Sequence, residues 1–475
     1  MEALGLKHKY LFEFIEELQM KIKLYISATV LLLAIIGFFS MKFFLDPAQK
    51  QFLIKYLTPY NFIEKQEKRI TQLEDENKQF LSLLNFSEIE LEFKNSLKDI
   101  QIEKIGDRKL TDKLILNQYK ILNGFYAGTV YNYPGSGYID FHNDNMFILS
   151  TRGVLGFTRD INNGFFSQIN NNIEEFIGLE QFQKTGEYNR RSYTWFSLRD
   201  LLIHENRIYV SFTEEIKEDC FNTSVIYADI NYKKINFTKL LSTDECIHTT
   251  ESREKEFVAH QSGGRMVGYG ENHILLTNGD YRSRFLSQNT KSINGKIIKI
   301  DTRAQNKYEI FSIGHRNPQG LYFDQDNNFV LSTEHGPMGG DEINLIDVKN
   351  IDQKLNFGWP ISSAGKHYCS ERAKTEKELE SCSELYKKYP LHDSHTDFGF
   401  IEPLKSFVPS IGISEITKID NETYVVSSLN GYSLYFFNLE NNKVKNMKRI
   451  MVGERIRDIF FKNGDLYMFL EKTPM

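Results

Sequence analysis

Residues 321–333 read LYFDQDNNFVLST: two short apolar runs separated by Asp, Gln, Asp and two Asn. The runs are rich in aromatic and β-branched residues, and the Asn pair suits a turn in which φ is positive. Together they predict a β-hairpin. The same pattern recurs as YIDFHNDNMFILST from Tyr138, LLIHENRIYVSF from Leu201, MVGYGENHILLTNGD from Met266, ITKIDNETYVVSS from Ile416 and IFFKNGDLYMFL from Ile459. Successive copies start about 40 to 95 residues apart, room for a four-stranded unit with insertions. Repeated hairpins at this period are the signature of propeller blades. Six of them predict an all-β, six-bladed β-propeller over residues 111–475, closed radially so that no long sheet edge is left bare. A linear array of β-sandwiches is the alternative reading of the same repeat.

The N-terminal hundred residues follow other rules. Residues 24–41, LYISATVLLLAIIGFFSM, carry no charge. Such a run is long enough to cross a hydrocarbon core of about 30 Å as a helix. We expect a transmembrane helix at 24–45, with residues 1–23 cytoplasmic; a cleaved signal peptide is the alternative. Residues 46–110 are expected to form a helical stalk. Ile63, Ile70, Asn77 and Leu84 recur every seven residues, with Gln66, Leu73 and Phe80 between them. That spacing fits a short coiled coil able to bring copies of the chain together, or a single solvated helix. Of the four cysteines, Cys220 and Cys246 bracket a hairpin, and Cys369 and Cys382 flank a polar insertion. Two local disulfides are expected, and these persist outside the cytoplasm. The predicted location is therefore the inner membrane, single-pass, with the C-terminal domain in the periplasm. A net charge of −5, with no basic cluster in the folded part, argues against nucleic acid as a partner.

Polar residues concentrate where the hairpins begin and end. HQSGGRM (260–266), GHRNPQG (314–320) and GERIRDI (453–459) precede strands, and EHGPMGGDEINLI (334–346) follows one. In blades stacked in register, one end of each contributes to a single funnel. His260, Arg316, Asn317, Gln319, Arg455 and Arg457 would then meet, offering a base, a fixed cation and an arginine pair suited to a polyanion.

As an ordered set, HQSGGRMVGYGENHILLTNGD, NGKIIKID, IGHRNPQGLYFD, GPMGGDEINLI and NFGWP (residues 356–360) resemble the soluble quinoprotein glucose/sorbosone dehydrogenases, which include the aldose sugar dehydrogenases. The resemblance implies a six-bladed propeller using pyrroloquinoline quinone (PQQ) and Ca²⁺ to oxidise a sugar and pass electrons to a quinone or cytochrome. It implies that His260 is the general base for the sugar C1 hydroxyl, and Arg316 the cation beside the quinone oxygen. Asn317 and Ser410 would contact the cofactor, and Arg455 and Arg457 would bind its carboxylates. Gly336 and Pro337 would offer backbone carbonyls to calcium. The chain departs from the family at Asn430, where a Lys is usual, at Ala259, where the glucose enzymes carry Asp, and at Met146, which aligns with a Gln near the sugar. SFVPS (406–410) replaces a Trp-containing loop. Two further readings remain: a non-catalytic propeller of this lineage serving recognition, and a zinc cluster of His260, His315 and His335.

Overall fold

The computed structural model describes residues 29, 69–71, 88–122, 125, 137–177, 198–249, 257–350, 355–367, 380, 384 and 387–471. All of the expected span at 24–45 except Thr29, and most of the heptad stretch, lie outside them, as do Cys369 and Cys382. Among the described residues no helix is long and apolar enough to cross a membrane.

The six predicted hairpins are all present, and each begins a separate sheet. Their first strands are Gly137–His142, Leu198–His204, Gly263–Gly268, Pro318–Asp324, Ile413–Lys418 and Ile456–Lys462. Each of these packs against the next, and the sixth packs against the first. This closed ring of innermost strands is a six-bladed propeller, and we number the blades in that order. The turn chemistry follows the sequence: Asn143, Asn206, Asn272, Asn328 and Asn463 sit at hairpin turns with φ between 53° and 60°, where Asn is among the side chains that tolerate the left-handed region.

The core is divided among the gaps between blades. The second strand of each hairpin is apolar on both faces, because each face meets a different neighbour. Val330 faces blade three while Leu331 faces blade five; Val425 faces blade six while Val426 faces blade four. The remaining gaps are filled by Phe147 and Val210 between blades one and two, Tyr209 and Leu276 between two and three, and Ile139 and Phe469 between six and one.

Carboxylates on the innermost strands bridge the ring. Asp458 of blade six accepts the Ile139 N–H of blade one at 2.8 Å, Asp140 of blade one accepts Ile203 N–H of blade two at 2.5 Å, and Asp200 of blade two accepts Met266 N–H of blade three at 2.6 Å. Glu415 of blade five accepts Leu321 N–H of blade four at 3.1 Å. Arg265, buried at the centre, pairs with Asp200, Asp458 and Glu415.

The expected stalk boundary at residue 110 is corrected. Strand Ile100–Lys109 already pairs with Phe165–Asn171 of blade one, and Phe93, in a helical stretch at 88–96, is buried against it. The apolar residues of this stretch cover blade edges, which a solvated stalk would not. Blade six has two strands among the described residues, and the N-terminal hairpin packs Leu116 against its Ile456 and Leu470.

Candidate functional site at the propeller mouth

All six innermost strands start at the same end of the ring, so the residues just before and within their first positions share one mouth. Tyr138, Arg199, His260, Arg316 with Asn317, Ser410, and Arg455 with Arg457 come from blades one to six in turn.

His260 sits in a short 3₁₀ turn, Ala259–Gln261, that runs directly into strand Gly263–Gly268. Backbone bonds fix this turn: Val258 N–H donates to Tyr281 O at 3.1 Å and Tyr281 N–H donates to Gln261 O at 3.0 Å. The amide of Gln261, oriented by its partners, donates to Asp280 Oδ1 at 3.1 Å and accepts from Arg316 Nη2 at 3.0 Å. One residue after the expected base, the chain therefore touches the expected catalytic cation.

Arg316 is buried, and its guanidinium lies 5.4 Å from the centre of the Trp359 ring, a favourable cation–π placement. Its Nη1 donates to the carbonyls of His335 and Gly336 at 2.9 and 2.7 Å. Asp280 receives Trp359 Nε1 at 2.7 Å, and its backbone N–H donates to Arg316 O at 2.8 Å. Burial pushes the Asp280 carboxyl above its usual range, and the nearby Arg316 opposes that shift. Asn317 uses its side-chain oxygen to accept from Gly263 N–H at 3.1 Å and from Gln319 Nε2 at 3.0 Å, tying blade four to the His260 loop.

Arg455 and Arg457 converge on Glu471; Arg457 Nε is 2.8 Å from Oε1, and Arg455 Nε binds Oε2. Burial would raise this carboxyl, but Arg457 and Arg455 outweigh burial and hold it below the ordinary range. Two guanidinium groups share one carboxylate, so the pair retains one positive charge and suits an anion. Ser410 lies on the blade-five side, where its hydroxyl faces Asp341. Asp341 also accepts the N–H groups of Ile411 and Ile413, both at 3.0 Å, and faces His335.

The Gly336 carbonyl, expected to face calcium, accepts from Arg316 Nη1 and keeps a second lone pair. Two other readings change. Met146, aligned with a sugar contact, is buried between blades one and six near the turn at the opposite end of its hairpin. The three histidines of the zinc reading do not form a metal site: His315 is locked between Ser312 Oγ (2.7 Å) and Glu334 (2.9 Å), and His335 faces Asp341. Among the described residues no group of three or more His, Cys, Asp or Glu could hold a metal ion.

Several mouth residues were missed in the sequence. Arg199 is the clearest, because LRDL (198–201) and IRDI (456–459) are the same local repeat, placing Arg199 in blade two where Arg457 lies in blade six. Asp280 ends the quoted segment NGD without having been given a role. Trp359 was quoted in NFGWP without a role, because its partner lies 79 residues away, and Glu471 carries no local signal, its partner lying 14 residues away.

Ring closure, a cationic mouth and a histidine turn beside a buried arginine define a six-bladed propeller with an anion-suited mouth. The chain belongs to the glucose/sorbosone dehydrogenase family, whose model matches residues 198–474, more than half of the sequence. It is 25% identical over 234 residues to the aldose sugar dehydrogenase of Escherichia coli K12, covering 44% of this chain and 57% of that one. The chain spans about half the length of the first curated relatives it matches. The soluble aldose sugar dehydrogenase of E. coli, solved in the apo form, superposes with a TM-score of 0.54 at 19% identity, over 79% of this chain and 97% of that one. The PQQ-bound aldose sugar dehydrogenase of Streptomyces coelicolor superposes with a TM-score of 0.50 at 16% identity, over 78% and 92%. At these identities the superpositions establish the fold alone.

Proposed function

We propose that this protein is a PQQ-dependent dehydrogenase oxidising an aldose or a related sugar. The observation that carries the reading is the link between two expected catalytic residues: the turn bearing His260 hydrogen-bonds the Arg316 guanidinium through Gln261. The donor set fits the cofactor's anionic part, since Arg455 and Arg457 carry one more positive charge than Glu471 neutralises. Calcium, when bound, would use the second lone pair of the Gly336 carbonyl, the first being taken by Arg316.

When bound, PQQ supplies a two-electron acceptor for hydride. Arg455 and Arg457 would hold its carboxylates, and Asn317 and Ser410 would flank it. His260 would take the proton from the sugar C1 hydroxyl, a role typically worth about 10²–10⁴-fold in rate. Arg316 is a fixed cation that needs little reorganisation to meet developing negative charge, because Gln261, two carbonyls and Trp359 already orient it.

Electrons would pass to a quinone or cytochrome. An extracytoplasmic location is supported by the Cys220–Cys246 disulfide, with residues 24–45 proposed as the membrane tether; resistance of the full chain to carbonate extraction from membranes would test it.

The deciding experiment loads the full-length protein with PQQ, with and without Ca²⁺. Dye reduction is then followed with D-glucose, D-galactose, D-xylose and maltose, with His260→Ala as control. Sugar-dependent reduction that is lost in the variant supports the reading. Absence of both PQQ binding and reduction would favour the recognition module.

A further inference from the structure

Blade two holds the loop that carries His260. Three of its side chains reach three carbonyls within residues 259–264. Arg199 Nη2 donates to Ala259 O at 3.1 Å, Thr223 Oγ1 to Ser262 O at 2.9 Å, and Ser211 Oγ to Gly264 O at 2.5 Å. Arg199 is the charged member, and its contact falls on the residue immediately before His260. The guanidinium is itself fixed, since Nε donates to Thr213 Oγ1 at 3.0 Å. Its stem passes so close to the loop that a Cβ on Gly264 would lie 2.3 Å from Arg199 Cβ. Arg199 thus touches the loop on both sides of the imidazole-bearing residue, and it is buried. The titratable groups near it include Tyr138 of blade one, Tyr281 of blade three and Arg457 of blade six.

We propose that Arg199 is a positioning residue for His260: its bond to the Ala259 carbonyl sets the 3₁₀ turn and so the direction of the imidazole. A rotation of that turn would move the ring relative to Arg316, because Gln261 belongs to the same turn and binds Arg316. Ala259 has no side chain able to make this connection, so the anchor comes from the neighbouring blade. The catalytic consequence rests on the reading of His260 as the base; the conformational claim does not.

The test uses the full-length protein with Arg199→Gln, Arg199→Lys and His260→Ala. In the PQQ-loaded protein with the four sugars above, Arg199→Gln lowers kcat about ten- to a hundredfold. KM and the PQQ dissociation constant stay within about twofold, because the groups that bind are untouched. Arg199→Lys, which retains a cation and one donor, recovers part of the loss. A second arm needs no sugar. With histidines labelled at the ring Cε1, the His260 resonance is identified by its disappearance in His260→Ala. It shifts in Arg199→Gln and moves back towards its original position in Arg199→Lys. An unmoved resonance, or an unchanged kcat in a protein that needs His260, overturns the proposal. If His260→Ala remains active, the assignment of the base falls instead, and the resonance arm alone decides whether Arg199 sets the turn.

Discussion

At the residue scale, the mouth depends on close approach and on shared charge. Gly264 has φ of +107°, and Arg199 occupies the space a side chain would need. Gly264→Ala combines an unfavourable backbone region with overpacking, so a loss of about 2–4 kcal/mol is expected; denaturant unfolding measures it, and an unchanged midpoint refutes the packing. Arg457→Ala removes one of two guanidinium groups from Glu471. If the pair binds a polyanion, PQQ affinity falls about ten- to a hundredfold, the worth of a charged hydrogen bond; fluorescence titration gives the value, and unaltered affinity excludes Arg457 from the cofactor site. Arg316 and His260 could be picked out from wording alone. Glu471 could not: its role exists only because residues 455, 457 and 471 lie side by side on the paired strands Ile456–Lys462 and Asp465–Leu470 and their flanks.

At the element scale, the hairpins were the most legible feature. Five of the six turns place an Asn at positive φ, joined in blade two by Glu205; the blade-five turn has none. The blade boundaries were less so. Strand Ile100–Lys109 reads IQIEKIGDRK, too polar to announce itself, and it is recruited by pairing with blade one. The Cys220–Cys246 disulfide joins the outer part of blade two to the segment leading towards the His260 loop, with a sequence separation of 26. Closing a loop of that length restricts the unfolded chain by about 3 kcal/mol in the chain-entropy view. Cys220→Ser/Cys246→Ser should lower the unfolding free energy by that order, and dithiothreitol should lower the melting temperature of the natural protein more than that of the variant. Equal sensitivity of both to the reductant would count against the bond as a stabilising link.

At the scale of the whole molecule, the ring is closed by apolar gaps and by a buried ionic centre. Arg265 faces Asp200, Glu415 and Asp458, three carboxylates for one guanidinium. Burial pushes Asp200 up to about 7 and Glu415 up to about 8, against the pull of Arg265. In the unfolded chain such groups titrate near 4. Protons are therefore taken up on folding, and the stability they contribute is full below about pH 4 and lost as pH rises through 7 to 8. The melting temperature should fall between pH 6 and pH 9, and Asp200→Asn should flatten that fall by removing one titrating group. A pH-independent melting temperature over this interval would show that the centre does not exchange protons on unfolding.

The amino-acid sequence by itself determined the repeat, the turn positions and the polar loops, because hairpin periodicity and φ > 0 turns are local properties that neighbouring residues dictate. It also supplied the family's ordered motifs. Which groups meet was decided only by the tertiary structure. Ring closure brings blade six beside blade one, puts Arg199 under the His260 turn, and brings the Gly336 carbonyl to Arg316. Those outcomes depend on contacts between residues scores to hundreds of positions apart, and on which buried donor reaches an acceptor first, neither of which any short stretch of chain encodes.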